Sequence, residues 1–100
     1  MAILIRKDGS ATTISPANKR KGFTLDECYK AIGDGCSIVQ QVNINHGQYC
    51  YMIVDEEGKL RQGWTQRINK EATRIYNQTH GADADIIVGD VLLCTEKEWK

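Results

Sequence analysis

The sequence predicts an α+β domain: a mostly antiparallel sheet of about five strands carrying both helices on one face, in the order ββαββαβ. Three observations predict it. Short apolar runs alternate with polar residues and are bounded by turn residues. Two longer segments repeat apolar residues at helical spacing. No linker, internal repeat or low-complexity stretch divides the 100 residues, so a single domain is expected over 1–100.

The first segment, "AILIRKDGSATTIS", reads as a hairpin. Ile3 and Ile5 share one face and Leu4 takes the other, while Asp8-Gly9 supplies the tight turn. A loop, "PANKRKG", follows. In "FTLDECYKAIG" Thr24 caps a helix and Glu27, three residues on, reaches back to close a capping box. Phe23 and Cys28 make the hydrophobic staple, Leu25, Cys28, Tyr29 and Ile32 form the apolar stripe, and Gly33 ends the helix in a left-handed cap.

A second hairpin spans "SIVQQVNINHGQYCYMIVDEEGKL". Ile38, Val42 and Ile44 alternate with Val39, Gln41 and Asn43, so one face is buried and the other mostly wet. The turn falls around Asn45-His46-Gly47, and the return strand, Tyr49 to Val54, is apolar on both faces. Thr65 is then expected to cap a second helix over 66–79, with Ile68, Ala72, Ile75 and Tyr76 buried and Gly81 as its stop. The final strand is expected over 85–94, and its two apolar faces make it central unless Gly89 disturbs the register.

Thirteen basic and thirteen acidic side chains cancel, so no global field draws the chain to nucleic acid or to an anionic membrane. The apolar start "MAIL" is too short for a signal peptide or a span. Cys28, Cys36, Cys50 and Cys94 lack the close spacing of a zinc knuckle. Cytoplasmic location is the resulting expectation, with no cofactor.

Three candidate chemistries stand out. Asp83, Asp85 and Asp90 crowd one strand and could offer carboxylates to a cation, but no calcium-type loop accompanies them. Asp90 is the sharpest polar site, since a charge in a central strand must find a donor or be swung out by a bulge at Gly89. Arg67, Lys70 and Arg74 recur along the second helix, with Arg61 and Trp64 upstream. Such a face suits a small anionic ligand, a nucleotide for instance, with Trp64 stacking on a base. It also suits plain solvation, as does the "NKRK" loop at 18–21. A Cys–His nucleophile pair would require His46 or His80 to meet a cysteine across the fold, and no enzyme motif is present.

The segments "VDEEGKLRQGWTQRINKEATRIY" and "ADIIVGDVLL", with the Asp55–Gly58 turn, the Asn69 and Ala72 pair and Gly89, carry a resemblance. They resemble a family of small proteins of unknown function found in phages, plasmids and conjugative elements. The "NKRKG" loop and the "GWTQRI" stretch depart from that pattern. The resemblance implies fold and a mobile-element context and carries no activity. With a small neutral domain that lacks catalytic motifs, it favours a non-enzymatic accessory protein of a phage or mobile element that binds a host macromolecule. The alternatives are a protein that binds or sequesters a small anion, and a metal-dependent or cysteine enzyme. Exposed strand edges also admit a homodimer.

Overall fold

The computed structural model describes residues 1–33 and 35–99; Asp34, in the loop expected around Cys36, lies outside the described residues. The elements run β1 (Ala2–Ile5), β2 (Ala11–Ile14), α1 (Leu25–Ile32), β3 (Val39–His46), β4 (Tyr49–Asp55), α2 (Lys70–His80) and β5 (Val91–Cys94). The fold is therefore α+β in the expected order. Among the described residues the strands form one open antiparallel sheet in the spatial order β2-β1-β5-β4-β3.

Local chemistry explains the helix that is most independent of its surroundings. Thr24 accepts from the Glu27 N–H at 3.1 Å, and the Glu27 carboxylate accepts from the Thr24 N–H at 2.9 Å, closing the capping box. Gly33 ends α1 at φ 68° and ψ −155°, a region open to glycine but outside the left-handed basin that was expected.

The second helix starts later than expected. Asn69, not Thr65, is its cap, accepting from the Ala72 N–H at 3.0 Å. Trp64–Arg67 forms only a 3-10 turn, because Ile68 is held extended by a bridge to Val88. The final strand is likewise shorter than 85–94: Gly89, at φ 82°, breaks the extended run, and regular pairing begins at Val91.

Position in the sheet follows from apolarity. β5, buried at all four residues, lies between β1 and β4. Its Leu92 and Cys94 face one way with Leu4 and Ile53, while Val91 and Leu93 face the other with Ile5 and Met52. Cys28 and Ile32 of α1 pack into the first set. Ala72 and Ile75 of α2 pack into the second. The helices thus cover opposite faces, correcting the expectation that both lie on one. The physical reason is that β4 and β5 are apolar on both sides, and each side must be removed from water.

Register also fixes the edge of β3. The Glu56 N–H donates to the Ile38 carbonyl at 3.0 Å, and Val39 lies opposite Asp55. In an antiparallel ladder that makes Val39, Gln41 and Asn43 non-hydrogen-bonded partners of β4, with their own N–H and C=O groups directed outward. The end of α2 covers part of that row. Thr79 Oγ1 accepts from the Asn45 N–H, and His80 Nε2 donates to the Asn43 carbonyl, both at 2.7 Å.

Candidate functional site

Asp90 finds the donors its position requires. It is 8 % exposed, accepts from the Lys7 N–H at 2.9 Å and stands 3.7 Å from the Arg6 guanidinium. Beside it, the Asn69 Nδ2 donates to the Ile5 carbonyl at 3.0 Å and to the Gly89 carbonyl at 2.9 Å. Asp90 and Asn69 therefore tie the β1–β2 hairpin, the start of β5 and α2 into one junction. Asp85 lies elsewhere, exposed and ion-paired with Lys59, whose hydrogen bond holds its carboxyl below the usual range. Asp83 occupies an exposed turn at φ 59°. The three aspartates do not converge.

Nor are the five residues of the basic stretch gathered in one place. Arg61 donates to Asp55 through Nε at 3.0 Å and Nη2 at 2.9 Å, and also to the Gly35 carbonyl at 3.2 Å. Asp55 is 8 % exposed and takes the Glu57 N–H as well, so this pair fastens the loop after β4 to the turn after α1. Arg67 precedes α2, its guanidinium lying over Gly89. Arg74 is ion-paired with Glu71 on the same helix. Lys70 faces a different cleft, shared with Lys7, Asp8 and Glu71. Trp64 is half-buried.

The cysteines are free, and three are buried. Burial pushes the Cys28 and Cys36 thiols up to about 11, and the charge of Asp55 adds to the effect at Cys36. Cys94 is pushed up further, again by burial. A thiol so raised is a poor nucleophile near neutrality. His80 stacks on Tyr76 with ring centroids 4.3 Å apart. Among the described residues, no three His, Cys, Asp or Glu side chains are grouped so that they could hold a metal ion. Every buried side-chain nitrogen and oxygen among them has a hydrogen-bond partner.

A surface that sequence reasoning missed stands at the open end of β3 and β4. A cavity of about 120 Å³ is lined there by Gln40, Glu56, Lys59, Ile86 and their neighbours. Ile86 is 42 % exposed, Ile38 45 % and Leu60 81 %. Ile38 is hydrogen-bonded to the lining residue Glu56, and Leu60 follows the lining residue Lys59 in the chain. Of the three, Ile86 lines the hollow itself, and exposed apolar surface beside a hollow suits an interaction surface. The available signal was Leu60 itself, an aliphatic residue in the polar run "DEEGKLRQG".

Among described residues no helix is long and apolar enough to cross a membrane. Residues 1–100 match a family described as a domain of unknown function (DUF3846). No curated protein and no solved structure is detectably similar.

Proposed function

The chain belongs to the DUF3846 family, and we propose that it is a non-enzymatic accessory protein of a phage or other mobile element that acts by binding a host protein. The observation that carries this reading is the hollow at the end of β3 and β4, lined by the exposed Ile86. The exposed Ile38 is hydrogen-bonded to its lining residue Glu56, and the exposed Leu60 is next in the chain to its lining residue Lys59. Keeping three aliphatic side chains in water is unfavourable by roughly 25 cal/mol per Å² of apolar surface, and a partner relieves it. The mobile-element setting is supported by the resemblance of residues 54–76 and 84–93. Cytoplasmic action is part of the same reading, and four free cysteines suit a reducing compartment.

The test is affinity capture from host lysate with the wild type and with Ile38→Ser/Leu60→Ser/Ile86→Ser, followed by reconstitution with the purified partner. A partner held by the wild type and lost by the triple variant is the expected result. A partner held equally by both places binding elsewhere, and reproducible absence of any partner contradicts the reading.

A further inference from the structure

The β3 edge lies beside the same hollow, and this suggests how a partner is held. Val39 and Gln41 present outward N–H and C=O groups, and none of these four has a hydrogen-bond partner among the described residues. Farther along the strand, Thr79 takes the Asn45 N–H and His80 the Asn43 carbonyl. Half of the edge is thus guarded by α2 and half is bare. A bare edge is normally blunted by charge, proline or cover, since it templates strand addition.

We propose that the Val39–Gln41 edge receives an extended, lysine- or arginine-bearing segment of the partner protein as a sixth strand. This rests on the protein-binding reading above and names its mode. The chemistry selects the occupant. Donors and acceptors that recur at every second residue, roughly 7 Å apart, are matched by another extended polypeptide. An added strand directs alternate side chains to the two faces of the sheet. On one face they meet Ile38, Ile86 and the hollow of about 120 Å³, which is of the size that admits a small apolar group. On the other they meet Trp99, whose indole N–H donates to the Gln41 side chain at 2.8 Å.

The charge of the rim points to a basic partner. Asp55, Glu56 and Asp85 line the hollow against Lys59, three carboxylates to one cation. Lys59 is taken by Asp85 and Arg61 by Asp55. Glu56 is exposed beside the hollow. At the opposite edge, β2 shows exposed Ala11, Thr12 and Thr13, so a strand added there finds little apolar surface.

Two sets of short synthetic peptides test this, valine alternating with lysine and valine alternating with glutamate. Binding is read by titration and by amide shifts of the protein. The key variant is Gln41→Pro, which removes an outward N–H without touching the β3–β4 ladder, an edge position where proline is tolerated. Gln41→Ala is its control, since it loses the side-chain bonds to Trp99 and Asn43 but keeps the outward N–H. Glu56→Lys, at an exposed position, provides an independent arm should the proline variant fail to fold.

The lysine set is expected to shift Val39 to Gln41 and the residues of the hollow. Gln41→Pro or Glu56→Lys should weaken it at least about tenfold, and Gln41→Ala should leave it near wild type. Equal binding by Gln41→Pro and Gln41→Ala overturns the proposal, as do preference for the glutamate set and shifts confined to β2 or α2. A wild-type dimer that Gln41→Pro dissolves, seen by sedimentation, makes the occupant a second copy and also overturns it. If Gln41→Pro still captures the wild-type partner from lysate, the edge assignment fails while the protein-binding reading stands. If the lysine set shifts nothing and the lysate yields no partner, both fail.

Discussion

Asn69 does the work of three residues, and that explains why it is fully buried. Its Oδ1 caps α2 while its Nδ2 serves two carbonyls from different parts of the chain. Asn69→Asp keeps the cap acceptor but loses both donations and sets a carboxylate against two carbonyls. It should lower stability by about 3 kcal/mol in urea denaturation; wild-type stability would show that the two donations are immaterial. The thiols give a second prediction. Cys50 is half-buried and the other three are buried, so iodoacetamide at about pH 8 should modify at most Cys50 in the native protein and all four in denaturant. Rapid modification of Cys36 would contradict the assignment of these cysteines to packing. At this scale much was legible: a charge at Asp90 needed a donor, and it has one in the Lys7 N–H. That the donor comes from 83 residues away was not legible, because nothing local encodes it.

The two helices contrast at the scale of the element. α1 was readable to the residue because its signals are local: the capping box closes within four residues. The start of α2 was not. Thr65 and Asn69 are both acceptable caps by residue type, and the choice fell to Asn69 because Ile68 pairs with Val88 and the Asn69 amide is needed by Ile5 and Gly89. The capping box of α1 also carries a pH signature. The N–H groups of Thr24 and Ala17 hold the Glu27 carboxyl below its ordinary 4.5. A depressed folded pKa means that the contribution is complete above about pH 4.5 and is lost as pH falls through the folded value. The unfolding midpoint should therefore fall on acidification below about pH 4.5, and Glu27→Gln should make that fall shallower. Asp8 and Asp85 are depressed as well, so a residual slope remains in the variant. An unchanged slope would show that the box does not hold its proton equilibrium.

The whole molecule is a sheet covered on both faces by one helix each, with its polar groups committed to joining the parts. The two-sided apolarity of β4 and β5 was visible in the sequence and required two covering layers; placing both helices on one side left one face of those strands uncovered. The hollow was less visible, because Ile86 reads as an ordinary strand residue and only the fold sets it beside Gln40 and Glu56. What stays uncommitted is backbone at the β3 edge, and amide hydrogen exchange of the free protein tests that most directly. Val42, Met52, Ile53 and Leu92 should exchange slowest, Asn45 should be protected by Thr79, and Val39 and Gln41 should exchange as fast as loop amides. Protection of Val39 and Gln41 equal to that of Val42 would mean that the edge is already covered, and the account of how this protein binds would be contradicted.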